Sequence, residues 1–177
     1  MSEFCTPRIL LRHWREEDRR PFAAMGADRE VMEHFPAQLT RAESDAFIDG
    51  LGSLLETRGW GLWALEELSS GRFLGFTGLH VPDFAAPFMP ATEVGWRLRR
   101  DAWGQGFASE AARAALVFAF EDLGLDEVVS FTATANLRSQ AVMRRIGMTN
   151  EPADDFDHPG IAPGSRLQRH VLYRLQR

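Results

Sequence analysis

The sequence holds one cysteine, Cys5, so no intramolecular disulfide can form. Such a chain suits a reducing compartment. It holds one tyrosine, Tyr173, so chemistry that needs a phenol has a single candidate. The longest apolar run, Ala114 to Phe120, is far short of the ~20 residues that a membrane-spanning helix needs. The first twenty residues soon become charged and contain no signal-peptide core. A basic surplus is also missing: 20 basic residues against 25 acidic ones give a net charge of −5. A nucleic-acid binder that works by neutralising phosphates usually shows the opposite balance. Repeats, low-complexity tracts and long linkers are absent. These absences predict a cytoplasmic protein that acts on neither nucleic acid nor membrane.

What remains is ordinary globular composition. The 177 residues, 45% hydrophobic and 25% charged, fit a single domain spanning 1–177. A domain of this length buries roughly 70% of the surface of its unfolded chain, so it needs no metal or disulfide to fold.

Along the chain, Arg8 to His13 reads as a strand and Arg15 to Met25 as a short helix. Thr40-Arg41-Ala42-Glu43 fits a capping box, and Ala46, Phe47, Leu51, Leu54 and Leu55 recur at helical spacing behind it. The pattern predicts a helix over 41–58, ended by Gly59. Trp60 to Leu68 and Arg72 to Val81 form a hairpin, and Glu93 to Leu98 is the next strand. A long helix is expected over 106–123, a strand over 127–134, a helix over 137–146 and a last strand over about 167–174. This order is α+β, a mixed sheet with helices rather than a regular βαβ array.

Two stretches carry chemistry. The first is Trp103-Gly104-Gln105-Gly106-Phe107-Ala108-Ser109-Glu110. Glycines let a backbone approach a ligand closely, and the loop runs into a helix N-terminus, where unpaired N–H groups favour an anion. It is a candidate pyrophosphate cradle, or else a plain strand-to-helix turn. A dinucleotide fingerprint would need a third glycine where Ser109 stands, and a P-loop would need Gly-Lys-Ser/Thr. The second stretch is Asn136-Leu137-Arg138-Ser139 at the start of a helix, where Asn136 fits an N-cap.

In that order, and together with Thr6-Pro7-Arg8-Ile9-Leu10-Leu11-Arg12, Glu93-Val94-Gly95-Trp96 and Gly147-Met148, the sequence resembles the GCN5-related N-acetyltransferase (GNAT) superfamily, RimJ/RimL-like branch, over nearly its whole length. The resemblance implies a strongly twisted mixed sheet of about seven strands with flanking helices. Acetyl-CoA would lie in a V-shaped splay between two adjacent parallel strands, here Glu93–Leu98 and Glu127–Thr134. It also implies that the backbone near Arg97, Leu98 and Arg99 meets the pantetheine arm. Trp103, Gly104, Gln105, Gly106, Phe107, Ala108 and Ser109 would hold the pyrophosphate, and Asn136 would touch the cofactor. Trp103 stands where the wider superfamily has Gln or Arg. Met143 stands where many members have a tyrosine acid, which leaves Ser139 as proton donor to the leaving thiolate.

The implied reaction is direct attack of a primary amine, of a small molecule or a protein N-terminus, on the thioester. Glu93, on the strand beside the cofactor, is the candidate base, set against a merely solvated strand glutamate. His34 and Phe35 on one side, and Asp155 and His158 on the other, are expected at the acceptor end. The run Asp154 to His158 has neither EF-hand spacing nor a histidine partner at helical spacing, so no metal is expected. Phe84 and Phe88 read as a cover for the cleft or an interface, and the family is compatible with a homodimer. Two alternatives stand beside this reading: a non-catalytic acyl-CoA-binding or regulatory protein on the same fold, and a nicotinamide-dependent oxidoreductase, opposed by Ser109 and the lack of a βαβ unit.

Overall fold

The computed structural model describes residues 3–177. Nine strands form one sheet: β1 (Phe4–Cys5), β2 (Ile9–Arg12), β3 (Leu62–Glu67), β4 (Arg72–His80), β5 (Glu93–Leu98), β6 (Glu127–Ala133), β7 (Thr149–Asn150), β8 (Phe156–Asp157) and β9 (Arg169–Gln176). The spatial order is β1-β2-β3-β4-β5-β6-β9-β7, with β8 also paired to β9. Four α-helices flank it: α1 (Arg19–Ala27), α2 (Arg41–Arg58), α3 (Phe107–Glu121) and α4 (Leu137–Arg145). The strands beyond the expected set are β1, β7 and β8. Two-residue strands are too short to show a period of two and exist because a longer neighbour pairs with them.

Local signals behave as their chemistry requires. Thr40 Oγ1 accepts from the Glu43 N–H, and Glu43 Oε2 accepts from the Thr40 N–H at 2.8 Å, so the capping box closes at the start of α2. The expected helix over 15–25 instead divides into a 3-10 turn, Glu16–Asp18, and α1. Asp18 is the reason: its side chain turns inward to meet Arg12 with two hydrogen bonds of 2.7 and 2.8 Å.

The sheet separates two apolar clusters. On one face α3 packs through Ala111, Ala112, Ala115 and Ala119, all fully buried, against Trp63, Leu74, Leu79 and Val94. Alanine's small side chain lets the helix axis approach the sheet closely. On the other face α1 and α2 bring Phe22, Met25, Ile48 and Leu51 onto Phe73 and Phe76. No helix among the described residues is long and apolar enough to cross a membrane.

Among the described residues only β5 and β6 are parallel neighbours, and α3 connects them, which makes one βαβ crossover, as the expected parallel pair requires, though not a regular array. The other pairings are antiparallel, which rules out a doubly wound sheet.

Arg12 and Asp18 are 2% and 1% exposed, and Arg12 also meets Glu66 at 2.7 Å. Removing one partner leaves an undercompensated buried charge. Asp18→Ala is therefore expected to destabilise the fold by about 3–5 kcal/mol in urea unfolding. A loss below about 1 kcal/mol, the range of exposed pairs, would show that Glu66 alone satisfies Arg12.

Candidate active site

The parallel pair hardly forms. β5 and β6 are in register at Glu93 and Val129, where the Val129 N–H donates to the Thr92 C=O at 2.9 Å. No further pair between these strands forms among the described residues. On its other edge β5 is fully laddered to β4 from His80–Glu93 to Gly75–Leu98. The Arg99 N–H donates to the Leu74 C=O at 2.9 Å, which fixes the phase: Glu93, Gly95, Arg97 and Arg99 turn their backbone polar groups to β4. Trp96 and Leu98 turn theirs toward β6, into the gap. The Leu98 C=O accepts from Trp103 Nε1 at 2.9 Å. The edge left open to the gap is thus Trp96 and Leu98, while the backbone of Arg97 and Arg99 is committed to β4. Phase along a strand depends on which edge is laddered, so residue order alone does not single out Trp96.

The gap widens toward the C-terminal ends of both strands, into a cleft of about 1850 Å³ that also takes in the N-termini of α3 and α4. Gly104 (φ 74°) and Gly106 (φ 84°) adopt left-handed backbone, which any other residue would strain. Gly106 is the N-cap of α3, so the loop delivers unpaired first-turn N–H groups to the cleft. The side chains here do other work. Phe107 and Ser109 are buried, and Gln105 Nε2 folds back onto the Asp101 C=O at 2.9 Å, leaving these residues their backbones for a ligand.

The loop is held from outside. Arg8 donates from Nη1 to the Gln105 C=O at 3.0 Å, pairs with Glu110 and lies 4.6 Å from the Phe107 ring. Thr6 Oγ1 donates to the same Glu110 at 2.6 Å. The N-terminal Thr6-Pro7-Arg8 segment therefore positions the glycine loop, a role its distance in sequence concealed.

Across the cleft, Asn136 caps α4: its Oδ1 accepts from the Ser139 N–H at 3.2 Å. Its Nδ2 donates to Thr132 Oγ1 at 2.9 Å and to Ser139 Oγ at 3.1 Å. Asn136 thus engages both atoms of its amide at the helix start. Ser139 Oγ acts as an acceptor in this network, which leaves its own proton to give. Tyr173 is buried, receives a hydrogen bond from Arg144 and points to Gln140, and Met143 is buried in the core.

At the closed end of the gap, Glu93 lies opposite His80, with Oε2 3.1 Å from His80 Nε2. Burial pushes the Glu93 carboxyl well above the usual carboxylate range, opposed by a hydrogen bond from the Phe131 backbone. Burial also lowers the His80 imidazole, opposed by Asp83. Both shifts run in the direction that disfavours charge on the buried pair. His80 had no visible partner in the sequence, because the long connection to Glu93 hides their register.

At the acceptor end, His34, Phe35 and His158 line the cleft. Asp155 does not: its Oδ1 accepts from Asn150 Nδ2 at 2.9 Å and from the Leu172 N–H at 3.3 Å, tying the β7–β9 junction together. Phe84 and Phe88 pack on Phe131 and Phe156, and Phe84 lies 4.5 Å from the His158 ring, so they wall the acceptor end. No group of three or more His, Cys, Asp or Glu able to hold a metal occurs among the described residues.

Residues 8–149 match the acetyltransferase (GNAT) domain family. The chain belongs to that family. It is 39% identical over 130 residues to the FsC-acetyl coenzyme A-N(2)-transacetylase of Aspergillus fumigatus, a match covering 67% of this chain and 54% of that protein, so the chain spans about half the fungal protein's length. An acetyltransferase structure from Agrobacterium tumefaciens superposes with a TM-score of 0.79 at 25% identity, covering 100% of this chain and 95% of that one. The RimL ribosomal L7/L12 α-N-protein acetyltransferase, solved with coenzyme A, shares the fold at a TM-score of 0.77 and 17% identity, with coverage of 99% and 98%. This GNAT chain is an N-acetyltransferase, and its family takes the acetyl group from acetyl-CoA. The cleft suits that donor: an unladdered strand edge for an amide-bearing arm, and a helix N-terminus behind two left-handed glycines for phosphates.

Proposed function

We propose that this GNAT chain acetylates a primary amine in the RimJ/RimL manner, with the acceptor entering from the α1–α2 face beside Glu93. The observation that carries this reading is the Glu93–His80 pair, buried at the point where β5 and β6 part. When bound, acetyl-CoA supplies a thioester whose carbonyl carbon an amine can attack, forming the amide as the C–S bond breaks. Trp96, Leu98 and the amides of 104–109 bind and orient the donor. Glu93, in its ionised form, takes the proton that the amine loses, directly or through a water, and His80 fixes its carboxylate. Ser139 Oγ–H donates a hydrogen bond to the departing sulfur, which takes its proton from solvent, and Asn136 orients the hydroxyl. The raised Glu93 pKa suits this task, since it makes the carboxylate a stronger base than an exposed one. Met143 prompted the non-catalytic alternative, but the uncommitted Ser139 proton supplies what that position lacks.

The test is thiol release from acetyl-CoA, followed with Ellman's reagent, across a panel of primary amines. Cys5 is exposed and gives a fixed offset. All 20 basic Lys-or-Arg residues are arginine, so self-acetylation on lysine cannot contribute. Amine-dependent release supports the proposal; bound coenzyme A with no release for any amine would support the non-catalytic alternative. The free thiol accords with action in the cytoplasm.

A further inference from the structure

The face of β4 and β5 that carries Glu93 also carries Arg97. Across the two strands His80 faces Glu93, Gly78 faces Gly95, and Phe76 faces Arg97. The middle of this trough therefore has no side chain on either strand. A Cβ added at Gly95 would meet only Glu93 Oε1, at 4.0 Å, so the space over Gly95 is open and belongs to the cleft. Arg97 closes the far end. Its guanidinium carbon lies 3.9 Å from the Phe35 ring centre, 5.4 Å from Phe76 and 5.8 Å from Phe47.

No anion answers this cation. Arg97 Nε and Nη1 are buried and lack a hydrogen-bond partner among the described residues. The nearby carboxylates are engaged elsewhere, Glu30 with Arg100 and Glu33 with His34. Burial lowers the Arg97 pKa to about 10, so the group keeps its charge at neutral pH. Aromatic faces attract such a cation, but they satisfy none of its in-plane N–H donors. A buried charge without hydrogen bonds is otherwise strongly disfavoured in a folded protein. At the entrance, burial lowers the His34 imidazole against the opposing charge of Glu33, with Arg166 and Arg138 adding to the lowering, and His34 Nδ1 is buried without a partner among the described residues.

We propose that Arg97 seats a carboxylate of the acceptor, with the reacting amine at the Glu93 end of the same trough. The acceptor is then an amino acid, or a peptide with an acidic residue close to its N-terminus. A simple alkylamine or a polyamine would leave Arg97 unpaired, and a polyamine would meet like charge. The proposal rests on the acetyl-transfer reading of the cleft and adds the acceptor's chemical class to it.

The experiment compares ω-amino acids from glycine to 6-aminohexanoate with n-alkylamines of matched length. A second arm compares short peptides bearing Glu or Gln at their second position. Each compound is measured in two ways: amine-dependent thiol release from acetyl-CoA, and calorimetric binding to the protein saturated with CoA. At the best chain length, wild type is expected to favour the carboxylate by about 10–100-fold, the range of a charge-assisted hydrogen bond. Arg97→Met is expected to collapse that ratio to near unity, whatever becomes of the absolute rates, and Arg97→Lys to keep part of it. A preference confined to the peptide arm identifies an acidic peptide as the carboxylate's source. Equal binding of matched compounds by wild type in both arms overturns the proposal, and needs no variant to fold. So does an Arg97→Met protein that keeps its discrimination but loses affinity for CoA. Tighter carboxylate binding without acetyl transfer to any amine leaves the carboxylate seat standing and sinks the catalytic reading instead.

Discussion

Glu93→Gln is expected to lower kcat/KM for any amine acceptor by about 10²–10⁴-fold, the usual contribution of a positioned general base. Glutamine has nearly the same shape and can still bond His80, so the buried pair remains packed and the loss reports on the proton-accepting role. The pH profile separates this role from a structural one. Activity through Glu93 needs the ionised carboxylate, and burial holds its pKa well above the ordinary carboxylate value. The wild-type rate should therefore rise with pH through that raised pKa, giving an acid limb displaced upward from the range of an exposed glutamate. The Gln variant should lose this limb and keep the one set by the acceptor's own amine, which for an α-amino group lies at about 7.7–8.0. A Glu93→Gln protein with wild-type kcat/KM and an unchanged acid limb would remove Glu93 from the mechanism and leave it as a buried strand residue.

Ser139→Ala should lower kcat by about 10²-fold, comparable to removing one donor aimed at developing negative charge. The departing thiolate has a pKa near 8.5, so water can protonate part of it at neutral pH, which keeps the expected loss at the low end for an acid. The KM for acetyl-CoA should move little, because Ser139 Oγ is bonded within the α4 cap and the donor's main supports lie on β5 and the 104–109 loop. Ser139→Thr, which keeps the hydroxyl, should recover part of the rate. A Ser139→Ala variant that raises KM with kcat intact would make Ser139 a ground-state contact with the donor and leave the thiolate to solvent.

The long periodic elements were legible because their own residues specify them. Thr40 and Glu43 start α2 and Gly59 ends it in a left-handed conformation, while Asn136 starts α4, all through contacts within a few residues. The glycine loop beside the cleft was legible for the same reason: Gly104, Gly106 and the start of α3 are contiguous. What escaped depends on partners far away in sequence. Asp18 shortened a helix because Arg12 needed it in the core. His80 meets Glu93 through strand register, across a connection whose length says nothing of the pairing. The phase of β5 decided that Trp96 rather than Arg97 turns its backbone to the gap, and strand alternation puts Arg97 on the face that carries Glu93. Asp155, expected at the acceptor, was drawn instead to Asn150 and Leu172 once β7 and β9 paired. Charge and proximity in sequence could not anticipate that.

The central claim is that the splay between β5 and β6 is a seat for acetyl-CoA, and thermal unfolding with acetyl-CoA, CoA and NADH in parallel tests it most directly. A ligand at 100 times its Kd adds about 2.7 kcal/mol to stability. For a domain of this size that is roughly 5–10 °C in Tm. The account predicts such a rise with acetyl-CoA and with CoA, and none with NADH. An unchanged Tm with both coenzyme A forms at millimolar concentration would contradict it, and the glycine loop before α3 would then be a strand-to-helix turn and nothing more.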